Sequence, residues 1–119
     1  MRTYALLIVF IVSCTLMVSA QNRNIDSLSS ALQREKTDTG RIILLYTLSW
    51  AYHNSKPDSA LMLAQQAYLL SKKKNYVKGE LWALNEIATA YNNLGDFPKA
   101  LQFYLEELKI EEKRAEFSG

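Results

Sequence analysis

The chain has 119 residues, 49% hydrophobic and 22% charged, a composition suited to one small globular domain. Fourteen Lys and Arg against twelve Asp and Glu leave a formal net charge of +2. Both signs are interspersed, so no field is strong enough to recruit nucleic acid.

The first twenty residues read as an export leader. Arg2 supplies a positive start, Ala5 to Val18 an apolar stretch, and Val18-Ser19-Ala20 the small-residue pattern a signal peptidase prefers. Cleavage is expected between Ala20 and Gln21, giving a periplasmic or secreted protein. Two alternatives stay open: a lipoprotein modified at Cys14, after "IVSC", and an uncleaved membrane anchor. Cleavage after Ala20 leaves no cysteine in the mature chain, so neither a disulfide nor thiol catalysis is expected there.

Beyond the leader, helical spacing predicts five helices. The first runs from Asn24 to about Glu35, with Ile25, Leu28 and Leu32 on one face. The second, from Arg41 to about Asn54, carries Leu45, Leu48 and Tyr52. "SKPD" breaks the pattern, because Pro57 is tolerated only in the first turn of a new helix. The third helix, Asp58 to about Asn75, has a stripe of Ala60, Ala64 and Ala67. Its Lys72-Lys73-Lys74 run reads as a solvated helix end complementing the helix dipole. After "NYVKGE" a fourth helix holds Leu84, Ile87, Ala88 and Tyr91 and ends at Gly95. Pro98 opens the fifth, with Ala100, Leu101, Tyr104 and Leu108 on its apolar face. No run alternates with period two, so no strand is expected.

The second half echoes the first. Leu45, Leu48, Ser49 and Tyr52 meet Leu84, Ile87, Ala88 and Tyr91 at an offset of thirty-nine; Ala60 and Leu61 meet Ala100 and Leu101 at forty. The one-residue slip falls in a turn, where loops absorb it. A period near forty is the signature of a repeat protein.

The order of these residues resembles the tetratricopeptide repeat. Leu84, Ile87-Ala88, Tyr91, Gly95-Asp96-Phe97, Ala100 and Tyr104 fill that family's helix-turn-helix pattern. Glu107 and Glu112 depart from it, at the late small residue and the terminal proline. The first copy keeps Leu45, Leu48, Tyr52 and Ala60 but lacks the Gly-Asp-aromatic turn. The resemblance implies an all-α fold of stacked antiparallel helix hairpins in a right-handed solenoid. In it Ala60, Ala88 and Ala100 let helices approach, and Tyr52, Tyr91 and Tyr104 fill the gaps beside them. The domain reading is 1–20 leader, 21–40 N-terminal capping helix and linker, 41–79 first repeat and 80–119 second repeat. Because a solenoid needs about three units and a polar cap, a further repeat is expected beyond the last helix, or self-association through it.

The same arrangement is similar to the periplasmic sensor regions of bacterial tetratricopeptide signalling proteins, membrane histidine kinases of the Bacteroidetes lineage above all. The resemblance implies a protein-binding scaffold, the sensor region of a two-component membrane protein, attached to the membrane through a longer parent chain. The alternative is a stand-alone secreted or periplasmic adaptor.

No catalytic set can be assembled. His53 is the sole histidine, so a metal cluster or a Ser-His-Asp arrangement has no parts, and it reads as an ordinary exposed or capping residue. Glu106, Glu107, Glu111 and Glu112 read as a solvated helix face, and Trp50 and Trp82 as core rather than ligand anchors. No cofactor, metal or enzymatic activity is expected of this chain. The resemblance implies instead a protein or peptide partner on a concave face lined by first helices. Candidate groove positions are Asn54, Asn85, Thr89 and Asn92, whose amides and hydroxyl would bond a peptide backbone.

Overall fold

The computed structural model of the chain describes residues 2–118, and the side chains of residues 16–23 and 118 lie outside that description. The described chain is all-helical: α1 (Arg2–Arg34), α2 (Asp38–Tyr52), α3 (Pro57–Lys73), α4 (Val77–Asn93) and α5 (Phe97–Ser118). Each helix packs on the next in chain order, and α2 also touches α4.

The first helix departs from expectation. The stretch expected to be a leader and the predicted helix from Asn24 form one 33-residue helix. Neither Pro nor Gly interrupts residues 2–34, so nothing in the local sequence stops the backbone between them. Its early apolar side chains, Tyr4 to Val12, are exposed. Ile25, Leu28 and Leu32 are partly buried, and Leu32 packs against the core. The predicted cleavage point after Ala20 lies among the side chains outside the description. Among the described residues no helix is long and apolar enough to cross a membrane.

The turns are explained by their residues. Thr37 caps α2, its hydroxyl accepting from the Gly40 N–H at 3.1 Å. Glu35 accepts from the Thr37 N–H at 3.0 Å and from its hydroxyl at 2.7 Å, and these bonds hold the Glu35 carboxyl below its ordinary value. Helices α3 and α4 end alike. The Tyr76 N–H reaches Ser71 O and the Asp96 N–H reaches Tyr91 O, both at 2.9 Å. Asn75 (φ 54°) and Gly95 (φ 84°) take the left-handed position that this ending requires. Pro57 is the first residue of α3, as expected; α5 begins one residue before Pro98. The segment "VKGE", expected in a connection, is the first turn of α4.

The core is built on small residues. Ala60, Ala64 and Ala67 of α3 are fully buried, as are Ala83, Ala88 and Ala90 of α4. Their size lets the helices approach while Ile42, Leu45, Leu48, Leu84 and Ile87 fill the space around them. Inside the α2–α3 pair, buried Ser49 donates its hydroxyl to the Ala60 carbonyl at 2.8 Å. Paired positions share their burial: Leu45 with Leu84, Leu48 with Ile87, Ser49 with Ala88, Ala60 with Ala100.

Two packing expectations need correction. Trp50 is 57% exposed rather than core. Tyr104 stands at a rim, and Phe103 fills the space instead, stacked on Tyr91 with ring centroids 5.5 Å apart. The cause is common to both. Trp50 stands at the edge of the face that α2 turns to α4, covered only by the His53 ring, and α5 has a packed helix only in α4.

Candidate functional site

The polar and aromatic side chains of interest gather on α4, between the neighbouring α2 and α5. Trp82 on α4 stacks on Tyr46 of α2 at 5.5 Å, meets Tyr76 edge-on at 6.2 Å and carries the Lys78 ammonium 5.1 Å above its ring. Beside this group a cleft of about 370 Å³ opens, bounded by Tyr46, Lys78, Leu81 and Trp82 on one side. Asn85, Glu107, Glu111 and Arg114 bound the other. The cleft thus brings aromatic planes together with amide, carboxylate and cationic groups.

Of the four candidate groove positions, Asn85 and Thr89 come together and the others do not join them. The Asn85 amide donates to Glu107 on α5 at 3.2 Å. The Thr89 hydroxyl donates to the Asn85 carbonyl at 2.9 Å and lies 3.3 Å from the Tyr104 hydroxyl. Asn92 is exposed on the last turn of α4, and Asn54 is exposed in the turn after α2. The amide that crosses to α2 belongs to Asn93, which donates to the His53 carbonyl at 2.7 Å.

The residue that sequence reasoning missed is Glu86. It is buried, 4% exposed, with its carboxyl pushed up to about 7 by loss of solvation. Its Oε2 lies 3.9 Å from His53 Nδ1, beyond hydrogen-bond distance, and both atoms are buried without a hydrogen-bond partner. His53 caps the C-terminal end of α2 with its ring edge-on to Trp50 at 5.6 Å. Burial, and secondarily the Glu86 charge, also raise the Tyr46 hydroxyl. A signal for Glu86 existed: on α4 it falls in the stripe Gly79, Ala83, Ala90, spaced to share one helix face.

Chemically, the Glu86 carboxyl can change protonation near neutral pH. Among the described residues no group of three or more His, Cys, Asp or Glu is placed to hold a metal ion. The glutamates of α5 divide: Glu106 and Glu107 are half-buried, with Glu107 held by Asn85, whereas Glu111 and Glu112 are exposed. On the side of α5 away from the cleft, Leu101, Leu105 and Leu108 are exposed.

Compared with known proteins, the chain matches no family model, no curated protein and no solved structure.

Proposed function

We propose that the chain is an exported tetratricopeptide-type scaffold that binds a protein or peptide partner along α2 and α4. In this reading α2/α3 and α4/α5 are successive repeats of a right-handed solenoid, and α1 covers the first of them. The observation that carries it is the matched burial of residues about forty apart, together with the direct contact between α2 and α4. First helices that touch across successive hairpins form a continuous surface, and such surfaces hold extended peptides or partner helices. The cleft at Tyr46, Trp82 and Asn85 lies on that surface.

The scaffold is the sensor region of a bacterial membrane signalling protein of the two-component type, with any catalytic output supplied by a longer parent chain. A stand-alone adaptor is the alternative, and the coding sequence downstream of Gly119 separates the two. Export rests on the leader, with the mature chain beginning at Gln21. The intact mass of protein recovered from its native cell distinguishes that product from a chain lipidated at Cys14 or left uncleaved. The exposed Leu101, Leu105 and Leu108 favour a further repeat or a second copy on α5. Sedimentation at increasing concentration separates those two.

The direct test of binding is selection of peptides from a random display library against the full chain. Selected peptides should lose at least tenfold in affinity to an Asn85→Arg variant that melts like wild type. Failure to select any peptide, or unchanged binding to that variant, contradicts the assignment.

A further inference from the structure

A buried carboxylate without a hydrogen-bond donor is costly when ionised, and folds that keep one either pair it or leave it protonated. The Glu86 carboxyl is buried, and its Oε2 has no hydrogen-bond partner. Around it on α4, Gly79, Ala83 and Ala90 are small and buried, so the helix sits close to its neighbours and leaves little room for water. From α2 it is faced by His53, 3.9 Å away, and by the Tyr46 hydroxyl. From α3 the buried inward residues are Ala60, Ala64, Ala67 and Ser71, none of which titrates in the accessible range. From α5, Glu107 meets Asn85, the residue next to Glu86, and Tyr104 meets Thr89, one turn further along α4. Among the described residues no Lys or Arg forms an ion pair with Glu86.

We propose that the α2–α4 joint is a proton-linked latch, closed over neutral Glu86 and loosened when Glu86 ionises and draws in water. The consequence for binding rests on the reading of α2 and α4 as the partner surface; the latch itself does not.

Two routes lead out of the closed state as protons become scarce. The carboxylate is either hydrated by parting the last turn of α2 from the middle of α4, or drawn within hydrogen-bond reach of the His53 ring. The 3.9 Å gap and the orphaned Nδ1 show that the pairing bond is not formed in the closed arrangement. Hydration is the less obstructed route, because α2 and α4 share far less contact than either has with α3. Loss of solvation already brings the Glu86 carboxyl to about 7, so the latch would work within the range cells and their surroundings span.

The test is a side-chain carboxyl NMR titration of the full chain, joined to amide hydrogen exchange at several pH values. Glu86 should titrate near neutrality. Between pH 4.5 and 7 the protection of amides at Trp50–His53 and Trp82–Ala90 should fall by up to about two orders of magnitude, after correction for the intrinsic pH dependence. Glu86→Gln should remove that dependence. Titration of Glu86 in the ordinary carboxylate range, or a Gln variant with the wild-type dependence, overturns the latch. Selected peptides that map to α2 and α4 while Glu86 titrates normally would leave the binding assignment standing without the latch. Proton-linked exchange without peptide binding would do the reverse.

Discussion

Gly79→Ala isolates the close approach on which the packing of α4 depends. In an exposed helix interior this change stabilises by about 1 kcal/mol, because glycine loses more backbone freedom on folding. Here the added methyl meets three side chains. It falls against Ser71 Oγ, 2.7 Å from Tyr76 Cδ1 and 2.9 Å from Ile42 Cγ2, where carbon atoms prefer roughly 3.5–4.0 Å. Ser71 can rotate away, since its hydroxyl has no hydrogen-bond partner. Ile42 cannot do so freely: it is fully buried, and its β-branch leaves one favoured rotamer in a helix. Overpacking of this kind costs about 1–3 kcal/mol, so the net change should be a loss of roughly 1 kcal/mol. Gly40, thirty-nine residues earlier, is the internal control. A methyl there meets half-buried Glu35 and exposed Thr37, whose side chains can swing aside at the expense of the cap. Gly40→Ala should therefore be within about 0.5 kcal/mol of wild type. Urea denaturation of the full chain, with the slope checked for constancy, measures both. Equal stability of the two variants, or a stabilised Gly79→Ala, would refute the argument that α4 is held at its limit of approach.

Ala100 is 3% exposed at the α4–α5 crossing, so Ala100→Leu should lower stability by about 1–3 kcal/mol, read from the shift in urea midpoint. Thr37→Ala removes the acceptor for the Gly40 N–H and should cost about 1 kcal/mol, with faster amide exchange confined to the first turn of α2. Glu86 makes stability depend on pH with a definite sign. The folded chain holds this proton up to about 7 and the unfolded chain only to 4.5, so stability is greatest below 4.5 and declines as pH rises to 7. The full decline is about 3 kcal/mol. Melting curves at fixed ionic strength should show it in wild type and not in Glu86→Gln, which should be the more stable protein at pH 8.

Most of the helical plan was readable because it depends on local rules. Pro57 can stand only in a first turn, Gly95 supplies the left-handed residue at a helix end, and the Ala60, Ala64, Ala67 stripe repeats at helical spacing. The continuity of α1 was not read, since a cleavage signal is a feature of sequence recognition and leaves the backbone uninterrupted. Trp50 and Tyr104 were misplaced for a tertiary reason. A large apolar residue is buried only if a neighbour covers its face, and periodicity does not say which faces are covered. Glu86 was passed over because a charge is ordinarily assigned to the solvent side, although its spacing from Gly79, Ala83 and Ala90 put it inside. Asn85, which lines the cleft, and Thr89 were named from their place on a first helix, not from any partner. Their partners Glu107 and Tyr104 required knowing how α5 lies against α4.

The central claim, that α2 and α4 together form a polypeptide-binding surface, is tested most directly by mapping. The full chain, labelled with nitrogen-15, is titrated with a peptide chosen by display. The account predicts saturable shifts clustered at Tyr46, Trp50, Trp82 and Asn85, with the outer face of α5 at Leu101, Leu105 and Leu108 unchanged. Shifts confined to that outer face, or absent at saturating peptide, would contradict it.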